Sequence, residues 1–254
     1  MAVRIGHASI DENGKITGGS AGDQTGKEVC IRNWYQHKKG WVVLRCKDPQ
    51  KRLLIAEAME KACANSNIGY DQNQRDTLFN AVKGLGFDPS KVTKKVETDC
   101  SALVRVCIAY AYGRDLVGNI RTITEPAALV KTGEFEKLMS DKYCTSSDYL
   151  MRGDCLCTPE SGHTMVCLDN GAKAPTEEVC TVNVCVLKKG DKGSQVKALQ
   201  AILIGYGYSC GKWGADGDFG AATESAVRKF QSRNGLTLNG IVDTKMWNKL
   251  LGVA

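Results

Sequence analysis

The sequence predicts an α+β chain that ends in a small all-α module of three helices. Three observations carry this. The stretch over 97–113 holds one helix, with Asp99 as N-cap, the apolar residues Leu103, Val106, Cys107 and Tyr110 three or four apart, and Gly113 to end it. Residues 152–171 read as a strand, a Thr-Pro-Glu-Ser break and a second strand closed by Asn170-Gly171. From Leu187 onward the apolar residues recur at helical spacing.

In chain order, Trp41-Val42-Val43-Leu44-Arg45 forms a strand, and Asp48-Pro49 opens a helix over 50–64 with Leu53, Leu54, Ala58 and Met59 on one side. A second helix spans 72–83 and stops at Gly84. Residues 85–98, with Pro89, form a loop whose Lys91, Lys94 and Lys95 read as a solvated face or as a contact to phosphates. Beyond Gly113 an irregular threonine-rich stretch precedes helices over 125–131 and 134–140. Periodicity fades over 172–186, where Pro175 stands, so the chain divides into a domain over 1–171, a linker over 172–186 and a module over 187–254. In that module Val196, Leu199, Gln200 and Leu203 mark one helix. Asp216-Gly217-Asp218-Phe219-Gly220 makes a turn, Thr223 starts a second helix that includes Phe230-Gln231, and Trp247 sits on a third.

The chemistry concentrates on a cysteine and few histidines. Cys100 falls in the first turn of its helix, where unpaired N–H groups and the helix dipole favour a thiolate. Of the twelve cysteines most are expected to be small buried hydrophobes. There are three histidines, and His163, at the start of a strand, is placed to reach a helix N-terminus packed on the sheet.

Asp99-Cys100-Ser101 heading an apolar helix, then Gly153-Asp154, a strand, and Gly162-His163 opening another, resemble the NlpC-type cysteine peptidases, papain-like enzymes that cut peptidoglycan peptides. The resemblance implies a papain-like antiparallel sheet packed on helices, with Cys100 as nucleophile, His163 as base and a polar third residue on the following strand. No such strand follows Asn170-Gly171, yet Ile5-Gly6-His7-Ala8-Ser9 matches the family's third segment. The domain is therefore expected to be circularly permuted, with His7 orienting His163; 26–29, Trp34-Tyr35 and 41–45 resemble the family's closing strands. A second reading makes His7 a hairpin histidine, since 6–14 resembles 162–171; Asp23, Gln24 or Asn170 would then supply the third group. Asp99, Ser101 and Gly162 are the candidate substrate-binding residues. In family endopeptidases that demand a free L-alanine, the Asp and Ser beside the cysteine act with a tyrosine to hold the amine. Tyr70 lies too far upstream to match that tyrosine, so the bond cut, in an endopeptidase or in an N-acetylmuramoyl-L-alanine amidase, stays open.

The residues 187–251 closely resemble the three-helix peptidoglycan-binding repeat. Both resemblances imply bacterial peptidoglycan as substrate and partner, and an endolysin-like enzyme made in a host cytoplasm, acting as a monomer. The N-terminus shows no secretory signal, and no run of about 18 apolar residues offers a membrane span. A net charge of +6 without a basic stripe interleaved with aromatics argues against nucleic acid and suits phosphate-rich polymers. No cofactor is expected. Cys155-x-Cys157 is too tight for a usual zinc knuckle, and a Cys180–Cys185 disulfide is a further possibility. A catalytically inactive wall-binding protein is the remaining alternative.

Overall fold

The computed structural model describes residues 2–10, 28–160, 162–175 and 184–252. It contains two compact units, Met1–Val179 and Cys180–Ala254. Residues at both ends of the expected linker are bonded within the units. Gly171 and Lys173 donate backbone hydrogen bonds to Leu150 and Asp148 inside the first unit, whereas the Cys185 N–H is bonded to Gln195 in the second.

The first unit is built on a sheet of six strands. They are β1 (Arg4–Ala8), β2 (Val29–Asn33), β3 (Val42–Cys46), β6 (Phe135–Leu138), β7 (Cys155–Cys157) and β8 (Thr164–Cys167). Their order is β2-β1-β8-β7-β3-β6, and every neighbouring pair is antiparallel. The N-terminal strand thus lies beside the strand that follows His163, with Gly6 opposite Val166 and His7 opposite Cys30. Helices α1 (Pro49–Ala64) and α3 (Cys100–Tyr112) pack on the sheet and on each other. A side chain at Gly6 would place its Cβ 2.4 Å from Met59 Cγ of α1, so glycine is what lets β1 come this close.

Asp48 caps α1 by accepting from the Gln50 and Lys51 N–H groups, and Pro49 occupies the position where a missing N–H costs nothing. The buried side of α1 carries Ile55, Ala56, Ala58, Met59 and Ala62; Leu53 and Leu54, expected there, are half-buried. Helix α3 is buried along almost its whole length, capped by Asp99 and ended by Gly113 in the left-handed region at φ 65°. Behind the sheet, Arg45 of β3 grips Asp154 at 2.7 and 2.9 Å, a buried pair that joins β3 to the turn before β7.

Three expectations about elements need correction. The helix expected over 72–83 shortens to α2 (Thr77–Val82), because Asp71 accepts from the Asn73 and Gln74 N–H groups and holds a turn there. The loop expected over 85–98 ends in β5 (Val96–Thr98), which pairs in parallel with β4 (Ile68–Tyr70). The helix expected over 134–140 is instead β6, bonded along the edge of β3, with Phe135 buried; α4 (Glu125–Lys131) precedes it and α5 (Asp141–Cys144) follows.

The second unit has α6 (Ser194–Gly205), α7 (Ala221–Arg233) and α8 (Thr244–Leu251) around a core of Leu199, Leu203, Phe219, Val227, Phe230, Val242 and Trp247. Two buried glutamines pin its loops. Gln200 donates to Asp216, the Asp218 carbonyl and Thr223 and accepts from the Gly217 N–H, while Gln231 donates to Asn239 and the Ile241 carbonyl.

Among the described residues no helix is long and apolar enough to cross a membrane, and the eleven described cysteines are all unpaired. Cys180, Asp23 and Gln24 lie outside the described residues, as do 26 and 27 of the stretch over 26–29.

Candidate active site

Cys100 is the first residue of α3, directly after its cap. It lines a groove of about 270 Å³ together with Ser9, Tyr35, His37, Tyr70 and His163. The sulfur is buried, and the nearby backbone N–H groups of Thr164 and Ser101 favour its ionised form. Burial nevertheless pushes the thiol up to about 12, with Asp99 adding to the effect. The helix start therefore does not maintain a standing thiolate, and the resting sulfur is a thiol.

His163 stands at the mouth of β8 and is likewise buried. Its Nε2 lies 2.8 Å from Nδ1 of His7, which β1 delivers from the adjacent strand. One proton lies between these nitrogens, so one ring donates and the other accepts. Burial lowers His163 to about 3 and His7 to about 4, so both rings are neutral at physiological pH. Because His7 takes Nε2, Nδ1 is the nitrogen of His163 left for the groove. The indole of Trp41 packs 6.4 Å from the His163 ring and donates its Nε1–H to the Tyr35 carbonyl, closing one side of the imidazole off from water.

The candidate substrate-binding residues are placed differently from one another. Gly162 lines the groove beside His163. Asp99 and Ser101 do not line it; both are buried and bound to Arg75. The Arg75 guanidinium meets both Asp99 carboxylate oxygens, the Ser101 hydroxyl at 2.8 Å and the Ile120 carbonyl at 2.7 Å, while Asp99 Oδ1 also accepts from the Ala102 N–H at 2.7 Å. The Asp99 carboxylate is already paired with Arg75 and used as a cap.

Two residues that the sequence set aside belong to the groove. Tyr70, judged too far upstream, is carried back by β4 to stand near Cys100, its hydroxyl accepting from Gln72 Nε2 at 3.0 Å. His37, in the polar Gln36-His37-Lys38-Lys39 segment, forms part of the groove wall with Lys38 and Lys39. Burial signals could not have found either, since each depends on a strand pairing or a loop path. Among the described residues no three His, Cys, Asp or Glu side chains are grouped so as to hold a metal ion.

Comparison with known families gives two matches. A family model described as an endolysin-like domain matches residues 5–174, and one described as a peptidoglycan binding domain matches 192–250. Among curated relatives, the N-acetylmuramoyl-L-alanine amidase CwlL of Bacillus licheniformis is 50% identical over 56 residues, 22% of this chain and 16% of that protein. A zinc D-Ala-D-Ala carboxypeptidase of Streptomyces albus G is 39% identical over 64 residues, covering 25% of each chain. This chain thus spans a quarter or less of the length of these relatives. A crystal structure of the SleB N-terminal domain is 33% identical, covering 28% of this chain and 96% of that one with a TM-score of 0.27. The curated matches are as short as the 192–250 match and join proteins named for different reactions.

Proposed function

The chain belongs to the endolysin-like domain family, and from that premise we propose that it is a peptidoglycan hydrolase cutting an amide of the wall peptide through Cys100. The observation that carries this reading is the His7–His163 bond, which commits one imidazole nitrogen and leaves the other for the thiol sharing its groove. In the finer form of the proposal the domain is a permuted NlpC-type, papain-like hydrolase. Strand β1 supports this, because it lies beside β8, where that family has the strand after its histidine, and brings His7 with it.

The reaction follows from the neutral resting pair. As the scissile carbonyl enters, His163 takes the Cys100 proton through Nδ1 while the sulfur adds to the carbonyl carbon. His7 accepts the Nε2–H of His163 and holds the tautomer that this transfer needs. The Cys100 backbone N–H, at the helix start, donates to the developing oxyanion, an effect commonly worth about 3 kcal/mol per donor. The imidazolium then protonates the departing amine. Water, deprotonated by His163, attacks the thioester and returns the thiol. Burial of both histidines makes the imidazolium costly outside this sequence of steps, so the proton is held only while the tetrahedral species exists.

Of the two bonds considered, N-acetylmuramoyl-L-alanine amidase chemistry is favoured over an endopeptidase that demands a free L-alanine amine. Asp99, which would hold that amine, is occupied by Arg75. The second unit holds the enzyme on the wall and raises its local concentration.

Mass spectrometry of fragments released from purified peptidoglycan tests the reading. New L-alanine amino termini are expected, with loss of all release in Cys100→Ala. Release undiminished in Cys100→Ala overturns the thiol mechanism, and absence of any release by the unaltered chain leaves wall binding as its function.

A further inference from the structure

Glu125 opens α4 and is completely buried. Its Oε1 stands 2.7 Å from Thr164 Oγ1, and its Oε2 has no hydrogen-bond partner among the described residues. Thr164 Oγ1 also lies 3.0 Å from the Leu156 carbonyl oxygen, which can only accept. A threonine hydroxyl carries one proton. When that proton serves Leu156, the contact to Glu125 is completed by a proton on the carboxyl. An ionised carboxylate here would leave a bare oxygen sealed from water, a cost that the neutral acid avoids. Burial accordingly pushes Glu125 up to about 8.

The acid lies beneath the reacting groups. Thr164 directly follows His163, and its backbone N–H lies on the Cys100 side, where it favours the ionised sulfur. The titratable groups facing Glu125 are Asp99 and Cys100 at the head of α3, and Cys155 and Cys157 of β7; Asp99 is held by Arg75. A charge on Glu125 would therefore act on the one sulfur whose ionisation the reaction needs.

Building on the thiol reading above, we propose that Glu125 is a positioning residue kept protonated. As a neutral acid it anchors Thr164, which directly follows His163 and faces Cys100, and its ionisation shuts the site at alkaline pH.

The test compares the full chain with E125Q, whose amide keeps the shape and can donate to Thr164 but cannot ionise. The rate of Cys100 alkylation by iodoacetamide is read by peptide mass spectrometry from about pH 6 to about pH 9.5. The ratio of E125Q to unaltered rate is expected to rise about tenfold across this range, the effect of one unit in thiol pKa. A ratio that stays flat overturns the proposal, since a merely structural glutamate would scale the rate equally at every pH. Infrared difference spectra of the unaltered chain give a second readout independent of how E125Q folds. A protonated carboxyl band present at neutral pH and lost on raising the pH is expected, and its absence at neutral pH overturns the proposal. Both measurements report on Glu125 even if Cys100→Ala should leave lysis intact, so the two readings fail separately.

Discussion

His7 and His163 are 156 residues apart in sequence, and their ring nitrogens meet at 2.8 Å in the buried wall of one groove. The pairing needs β1 to lie against β8, and β1 reaches that position only because Gly6 lets the strand pass close to Met59. His7→Ala is therefore expected to lower kcat by roughly ten- to a hundredfold, the usual cost of losing the group that orients a reacting imidazole, with little change in melting temperature. His7→Asn or His7→Gln should keep more activity, because either amide oxygen can accept the His163 proton. Near-normal lysis by His7→Ala would show that His163 needs no orienting partner from β1.

The Arg75 network leads to a prediction about the substrate. With both Asp99 oxygens on Arg75, nothing in that pair is left to demand an ammonium. Peptide substrates whose L-alanine carries the muramoyl-type acyl group are expected to be cut at that amide, and peptides with a free L-alanine amine to be left intact, measured by chromatography of the products. A strict need for the free amine would mean that Arg75 gives way to substrate. On the stability side, Arg75→Met leaves a buried carboxylate without its partner and is expected to cost about 3–5 kcal/mol in denaturant unfolding. Adding Asp99→Asn should recover part of that loss.

How much of this was legible in the sequence varies with the kind of signal. The Cys100 helix could be read because cap, periodicity and terminating glycine agree within seventeen residues, 97–113. His7 was reachable only through the resemblance of its short segment, since nothing local relates residue 7 to residue 163. Tyr70 escaped because β4 and β5 are three residues each, too short for a period-two pattern to show. β6 was misread as helix because Phe-Glu-Lys-Leu fits either period, and the free edge of β3 decided the matter. The thiolate expected at the helix start failed for another reason: burial, which local sequence does not encode, outweighed the N–H groups that favour ionisation.

Stability should depend on pH from both sides. The folded pKa of each buried histidine lies below its unfolded value of about 6.5, so their contribution is present above pH 6.5 and is lost as pH falls through about 4 and about 3. Glu125 has the opposite sign. Its folded pKa is raised to about 8, so its contribution is present below its unfolded value and is lost as pH rises towards 8. Melting temperature is expected to fall on both flanks, and E125Q should flatten the alkaline flank alone. An unchanged alkaline flank in E125Q would remove Glu125 as its cause.

The second unit offers the last prediction. It has its own core, with Phe219, Phe230 and Trp247 buried, and its own polar pins in Gln200 and Gln231. Residues 184–254 expressed alone are therefore expected to melt cooperatively and to sediment with insoluble peptidoglycan. The apolar side chains of its helices are mostly spent on that core, so contact with the wall falls to residues left outside it. Trp213 is 73% exposed, with the Lys212 ammonium 4.6 Å from its ring centre, and offers a flat apolar face next to a cation. That pairing suits sugar rings that carry acidic substituents. Trp213→Ala should cut retention on the wall several-fold while leaving the melting temperature within about 2 °C, because an exposed side chain far from the core contributes little to stability. Full retention by Trp213→Ala would move the contact surface elsewhere on the unit. Failure of the isolated unit to sediment at low salt would remove the wall-holding role altogether.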